Sequence, residues 1–402
     1  MEGMKRMELS KRALKMEPSV TLAASAKAKT LKAEGKDVLS LTVGEPDFAT
    51  PKNIQEAAKK AIEFGETSYY TPTAGIPALR QAVVDYMQDN YDLTYKVSET
   101  IITNGAKFAL YLLFQVLLDE EDEVIIPTPY WVSYSEQVKL ADGVPVFVEA
   151  LEDNDYKVTV SQLEQVKSAK TKAILLNSPS NPTGMIYTKE ELQAIGEWAV
   201  ANQLVIVADD IYGHFIYGDA EFTPIATLSD AIRAQTIIIN GVSKTYSMTG
   251  WRIGFAIGDQ KIIRAMTDLA SQASSNPTAV SQYAAIEALS GSQESVEVMR
   301  QAFEERMEKT YQWLSEVPGI TVRKPQGAFY LFPNVRETMT ICGYEDVNDF
   351  VEALLVEANV AVVTGKGFGA PDNIRLSYAA DLATLEEAVK RIKHFVEKKQ
   401  QK

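Results

Sequence analysis

From residue 39 onward, short apolar runs alternate with longer stretches whose apolar residues recur at helical spacing. The runs that predict strands are LSLTV from 39, TIIT from 100, EVIIP from 123, VFVEA from 146, AILLN from 173, LVIVA from 204, TIII from 236 and IGFAI from 253. Helical spacing fills residues 52–63, 77–89, 106–118 and 189–202, and Thr188 with Glu191 forms a capping-box pair that opens the last of these. Strands that are apolar along their whole length must be covered on both faces. The alternation therefore predicts a mostly parallel sheet between layers of helices. After about residue 290 the pattern changes to a long charged helix at 293–316, strand-like GITVR and GAFYLF, a helix at 346–358, strands VAVVT and NIRLSYA, and a final helix. This predicts a second, smaller α/β unit. The first forty-odd residues offer no strand partner of their own.

Composition narrows the function classes. A chain of 402 residues is long for a single core, so two domains are expected. Apolar residues make up 46% and charged residues 23%, the balance of an ordinary soluble protein. A net charge of −14 argues against a nucleic-acid or anionic-membrane surface. Cys342 is the only cysteine, and His214 and His394 stand at no ligand spacing, so neither a disulfide within the chain nor a metal site is expected. Lys5 and Arg6 are followed by ELSKR where a signal peptide needs an apolar stretch, and no run approaches the ~20 apolar residues of a membrane span. The chain reads as cytoplasmic.

The chemistry gathers around Lys244. It sits in TIIINGVSKTYSMTGWRIGFAI, just after a predicted strand, among the small residues Gly241, Ser243, Thr245, Ser247 and Thr249 that suit an anion pocket. Most lysines are simply solvated. Here, however, Arg252 follows eight residues later in the apolar stretch WRIGFAI, where an unpaired charge is costly and a phosphate is the natural partner. Asp209 follows LVIVA, at the carboxyl end of a strand where open α/β sheets bind ligands, although Asp209 and Asp210 could equally cap or solvate a loop. NSPSNPTG at 177–184 reads as a turn, and NGAKFAL at 104–110 as a strand–glycine–helix junction whose free N–H groups suit a phosphate. Trp131 in PTPYWVSY could be core. Arg375 in NIRLSYA offers a fork for a carboxylate or for a structural ion pair. GKGFGA at 365–370 lacks the spacing of a nucleotide loop and reads as a flexible loop near Arg375.

SKTYSMTGWRIG resembles the lysine segment of the class I aminotransferases, fold-type-I enzymes that use pyridoxal 5′-phosphate (PLP). The likeness runs in family order from about Pro18 to the C-terminus. It implies that Lys244 forms the Schiff base with the cofactor. Arg252, with Gly105, Ala106 and Lys107 at the helix start, would hold the phosphate. Ser243 would stand in for a serine that the animal-type enzymes carry where this chain has Gly241. By the same resemblance, Asp209 pairs with the pyridine nitrogen and keeps it protonated, and Asp210 replaces the usual glutamate. Asn181 and Tyr212 donate to the phenolate oxygen, Asn177 supports the loop or the substrate, and Trp131 stacks on the ring. Arg375 clamps the substrate α-carboxylate, and Gly44 lets the backbone approach that substrate. Tyr70 in YYTPTAGIPALR would reach the phosphate of a neighbouring subunit, which implies a homodimer with shared sites. The implied fold is a large domain (50–290) with a mostly parallel seven-stranded sheet covered by helices, a smaller α/β domain (291–402), and an N-terminal arm (1–49) that belongs partly with the small domain.

Within that family the signatures SKTYxMTGWRIG and PYWVSY are most similar to those of bacterial aspartate aminotransferases. The implied reaction is ping-pong transamination between L-aspartate and 2-oxoglutarate. The chain departs from the animal-type pattern in having no arginine between Arg264 and Arg300 for the side-chain carboxylate, and Lys107 is the candidate replacement. Aromatic, prephenate or alanine transamination, carbon–sulfur lysis on the same scaffold, and a non-catalytic PLP-binding regulator are the other readings.

Overall fold

Seven of the eight apolar runs assemble into one sheet in the computed structural model of the chain, which describes residues 8–401; Lys5 and Arg6 lie outside the described residues. The first run, LSLTV, forms only Leu39–Ser40 (β1). The sheet comprises Thr100–Thr103 (β2), Glu123–Thr128 (β3), Val144–Glu149 (β4), Thr171–Asn177 (β5), Val205–Asp209 (β6), Thr236–Gly241 (β7) and Gly254–Ile257 (β8), in the order β2-β8-β7-β6-β5-β3-β4. Only β8 runs against its neighbours, so β2 points the same way as β7. Helices cover both faces. Leu110, Leu113 and Phe114 pack on one side and Ile195, Trp198 and Ala199 on the other, with the strands between them buried as their uninterrupted apolar runs require, except the edge strand β4, where Val144 and Phe147 are exposed. The helix Lys189–Ala201 starts where its sequence signal places it: the Thr188 hydroxyl accepts from the Glu191 N–H, and the Glu191 carboxylate accepts from the Thr188 N–H.

The C-terminal segment carries short strands, Tyr330–Leu331 (β9), Val360–Ala361 (β10), Val363–Thr364 (β11) and Ile374–Ser377 (β12), with β12 between β11 and β9. GAFYLF is shorter than expected because Ala328, at φ 58°, and Pro333 bracket it. GITVR contributes only a single bridge, from Thr321 to Asn334. GKGFGA is not the flexible loop expected. It forms a short 3-10 turn with Phe368 fully buried, and a side chain on Gly365 would strike the carbonyls of Ala370 and Asn373.

β1 explains where the arm belongs. It pairs in parallel with β10, and Leu41 continues the pairing by donating to the Ala361 carbonyl. Beyond Leu41 the backbone turns to the cleft, where the carbonyls of Thr42 and Gly44 accept from Arg375 and Lys244, so the strand stops. The helix Val20–Ala33 buries Ala28 against Val38, Leu355 and Ala361. The charged helix Glu294–Ser315 presents Val296, Met299, Phe303, Met307 and Leu314 as one buried stripe. Phe303 meets Phe215 at 5.1 Å and Phe329 at 5.5 Å between ring centres. Each ring contributes about 1.5–3 kcal/mol by burial. Together they fix the C-terminal segment to the loop that leaves β6. Among the described residues no helix is long and apolar enough to cross a membrane.

Candidate active site

β2, β3, β5, β6 and β7 share a direction, so their carboxyl ends meet along one edge of the sheet. A cleft of about 310 Å³ opens there, roofed by residues of the C-terminal segment and bordered by Ser19, Thr21 and Leu22 at the start of the arm helix.

One end of the cleft is built for an anion. Gly105, at φ 86°, turns the chain from β2 into the helix Ala106–Leu117, whose first N–H groups have no partner within the helix. A side chain at Gly105 would collide with the Arg252 guanidinium, and one at Gly254 with the backbone of Gly105 and Ala106, so two glycines allow this close approach. Ser243 is buried at the same end. Gly241 cannot carry a side chain without moving β8, since a Cβ would lie 2.8 Å from Gly254 Cα and from the Ile253 carbonyl. Arg252 is not the buried charge that its apolar surroundings suggest. The strand begins only at Gly254, and the exposed Arg252 side chain curls over the cleft mouth, donating to Thr249 O at 3.0 Å and Asn104 O at 3.3 Å.

Lys244 stands over the middle, with Nζ 2.5 Å from the Gly44 carbonyl. Burial, reinforced by the cations of Arg252 and Arg375, lowers its pKa to about 8, against the pull of Glu45 and Asp209. Asp209 and Asp210 are both buried, so neither solvates a loop. Burial raises the Asp209 carboxyl to about 6, while bonds from the Tyr134 hydroxyl (2.7 Å) and the Ile211 N–H (3.3 Å) and the charge of Lys244 pull it back. A carboxylate held this way at the cleft floor calls for a cationic partner.

The opposite wall carries Arg375, which is 1% exposed. Its Nη1 donates to Asn181 Oδ1 at 3.0 Å and its Nη2 to Thr42 O at 2.9 Å, and its Nε is buried with no hydrogen-bond partner. The guanidinium lies 4.5 Å from the Tyr330 ring centre and 5.1 Å from that of Phe368. With the Asn181 oxygen engaged, the donating half of that amide is left for a ligand. Asn177 supports the loop: it donates to Asp209 O at 2.9 Å and accepts from the Asn181 N–H at 2.8 Å. The Tyr212 hydroxyl meets that of Tyr330 at 2.9 Å. Trp131 and Lys107 border the cleft, with Lys107 Nζ 4.8 Å from the Trp131 ring centre and its side chain exposed. Tyr70 is 91% exposed and lies outside the cleft of its own chain.

Four contributors were absent from the sequence reading. Tyr134 lies in the quoted PYWVSY, three residues after Trp131 and in the first turn of the helix Ser133–Leu140. Tyr330, the Thr42 carbonyl and Thr21, whose hydroxyl is buried without a partner, come from distant segments with no local signature.

PLP presents a phosphate, a ring oxygen, a ring nitrogen and an aldehyde, and the residues present fit it. The glycine-backed helix start with Arg252 and Ser243 suits the phosphate, Asp209 the nitrogen, Asn181 and Tyr212 the oxygen, and Lys244 the aldehyde carbon. The unpartnered Nε of Arg375 remains for a substrate carboxylate. The family profile described as aminotransferase class I and II matches residues 36–392. The chain is 58% identical to an asparagine–oxo-acid transaminase of Streptococcus mutans, over 97% of this chain and 100% of that one. It is 59% identical to an aspartate aminotransferase of Geobacillus stearothermophilus, over 97% and 99%. Among solved structures, aspartate aminotransferase from Thermus thermophilus with maleate superposes with a TM-score of 0.92 at 39% identity, covering 97% of this chain and 100% of that one. A phosphate cradle, a buried acid and an amine on one cleft are thus found in a chain that belongs to the class I and II aminotransferases and depends on pyridoxal 5′-phosphate.

Proposed function

We propose that the protein transfers the amino group of L-aspartate to 2-oxoglutarate, giving oxaloacetate and L-glutamate, in a ping-pong exchange where the donor leaves as its oxo acid before the acceptor enters. The observation that carries this reading is a pair of cations on one cleft: Arg375 buried with an unpartnered Nε, and Lys107 at the rim over Trp131. A dicarboxylate needs both, because its second negative group otherwise loses water without compensation. The relatives named as aspartate aminotransferases support it.

In this reading PLP, when bound, supplies a conjugated electron sink for the substrate Cα. The chain's own groups do the rest. Arg375 clamps the α-carboxylate and so aims the Cα–H bond. Lys244, whose amine is half neutral near pH 8, would take that proton from Cα as the general base and, once protonated, deliver it as the acid to the cofactor's C4′. Asp209, steadied by Tyr134, holds a proton on the pyridine nitrogen. Asn181 and Tyr212 donate to the ring oxygen, and Trp131 stacks on the ring. Ser243, Arg252 and the N–H groups that follow Gly105 hold the phosphate. Gly44 holds Lys244 through its carbonyl.

Lys107→Ala tests the substrate. It should lower kcat/KM for aspartate and glutamate by roughly 1.5–3 kcal/mol, the loss of a charged hydrogen bond, and leave alanine and phenylalanine almost unchanged. An equal fall for all four substrates would make Lys107 a cofactor residue and remove the argument for aspartate. The Streptococcus mutans relative favours a second reading, asparagine as donor. Its amide carries no charge, so Lys107→Ala should then leave the best substrate nearly untouched.

We also infer a cytoplasmic homodimer in which each site borrows Tyr70 from the other chain. The support is a run of exposed apolar side chains in the segment leading to it, with Tyr69 at 81%, Phe64 at 79% and Ile62 at 58% exposure. Mixing Lys244→Ala chains with Tyr70→Phe chains should give hybrids whose PLP affinity depends on the pairing. A fully active monomer at micromolar concentration would refute the dimer.

A further inference from the structure

Tyr330 carries a buried hydroxyl of the cleft wall that the mechanism above does not use. It stands on β9, whose partner β12 carries Arg375, with Tyr330 opposite Ser377. Three features converge on it. Its ring covers the Arg375 guanidinium at 4.5 Å. Its hydroxyl meets the Tyr212 hydroxyl at 2.9 Å, with Tyr212 3% exposed and Tyr330 1%. A side chain at Gly44 would come within 2.8 Å of that same oxygen, so residue 44 is held to glycine by Tyr330 as well as by any substrate.

Two hydroxyls joined to each other share one bond, and which of them donates decides what the other can do. Burial keeps both phenols protonated, and the Arg375 charge acts on both, but its guanidinium lies on the Tyr330 ring at 4.5 Å. That contact favours Tyr330 as the donor. A Tyr212 oxygen that accepts from Tyr330 keeps its own proton for a third group, and donates it more strongly because hydrogen bonds in a chain polarise one another.

We propose that Tyr330 is a positioning residue: its hydroxyl donates to Tyr212 and so fixes the Tyr212 hydroxyl as a donor toward the cofactor's ring oxygen. This rests on the reading of Tyr212 as that oxygen's donor. The chain Tyr330–Tyr212 crosses from the C-terminal segment to the loop after β6. The orientation of the Tyr212 proton is therefore set by the same strand pair that seats the carboxylate clamp.

The test is a double-mutant cycle on the PLP-loaded protein, read as the pH midpoint of the cofactor's visible absorbance change. Donors to the ring oxygen favour its deprotonated form, so losing them raises the midpoint. Tyr212→Phe should raise it by about one pH unit or more, the loss of a bond to a charged group. Tyr330→Phe, which keeps the ring over Arg375, should raise it by roughly 0.2–0.6 of a unit, the cooperative share of that bond, and leave KM for aspartate within about twofold. On a Tyr212→Phe background, Tyr330→Phe should then move nothing. A midpoint that Tyr212→Phe shifts and Tyr330→Phe does not would overturn the proposal alone, as would a Tyr330→Phe shift that persists without the Tyr212 hydroxyl. A KM increase of tenfold or more with a fixed midpoint would show Tyr330 serving Arg375 instead. No shift in Tyr212→Phe itself would overturn the reading of Tyr212, and the proposal with it.

Discussion

Lys244→Ala leaves a protein that folds and still binds PLP, without a covalent link, but turns amino acids over at least about 10⁴-fold more slowly than the wild type. Removing one positioned base costs up to about that factor, and the same amine is also the cofactor's point of attachment. Folding should survive because, among the described residues, Nζ makes one hydrogen bond, to Gly44 O, and its burial costs rather than stabilises while it is charged. The pH response adds a second reading of the same residue. The amine is depressed to about 8, so it is mostly protonated and unreactive at pH 7 and mostly free at pH 9. The rate at which cofactor-free protein captures PLP should therefore rise with pH and reach half its plateau near 8. An unperturbed lysine, at 10.5, would place that midpoint two or more units higher. Borohydride reduction followed by peptide mapping must place the label on Lys244. A label on any other lysine sinks the assignment.

How much of this was legible in the chain depends on whether a feature is local. Six of the seven strands of the large sheet are apolar runs buried on both faces, the edge strand β4 being partly exposed, and the predicted ends lie within two residues of the observed ones. The cap of the Lys189–Ala201 helix is likewise a four-residue signal. Asp209 ends a strand and Arg375 interrupts one, so both stand out locally; Lys244 stands out among small polar residues just past a strand, whereas Asn181, in a turn, is named only through the family resemblance of NSPSNPTG. The features that escaped are set by distant partners. LSLTV looks like a five-residue strand, but the Thr42 and Gly44 carbonyls serve residues 333 and 200 positions away. Phe368 makes GKGFGA a buried support behind Arg375, because Arg375 and Phe332 lie against it. Arg252 was expected in a buried setting because its neighbours are apolar, yet at φ 56° it precedes the strand and projects outward. Tyr330 could not be singled out at all. Nothing in GAFYLF distinguishes a tyrosine that meets Tyr212 from one that fills a core.

Arg375→Lys should reduce kcat/KM for every amino acid alike, by roughly 10²–10³-fold, or about 2.7–4 kcal/mol. The charge is kept and the loss is one of shape. The guanidinium is already held in place on both faces, by the Tyr330 and Phe368 rings, and at two corners, by Asn181 Oδ1 and Thr42 O. A carboxylate therefore meets a fork whose position costs no further ordering, with Nε still unpartnered. A lysine ammonium has three donors and no plane. It can satisfy Asn181 and Thr42 or the substrate, but it cannot stack between the rings while holding all three. Because the α-carboxylate is common to all substrates, the loss must be uniform across aspartate, glutamate, alanine and phenylalanine. That uniformity separates it from Lys107→Ala, whose effect is confined to acidic side chains. A rise in KM for the dicarboxylates alone, with alanine unaffected, would exchange the two assignments and place the side-chain carboxylate on Arg375. The stability readout is independent of that outcome. Replacing a buried guanidinium that has two good partners and an open third side by an ammonium should shift the unfolding midpoint of the cofactor-free protein less than kcat/KM changes, because the unpartnered Nε is a standing cost to the native fold that only a bound carboxylate relieves.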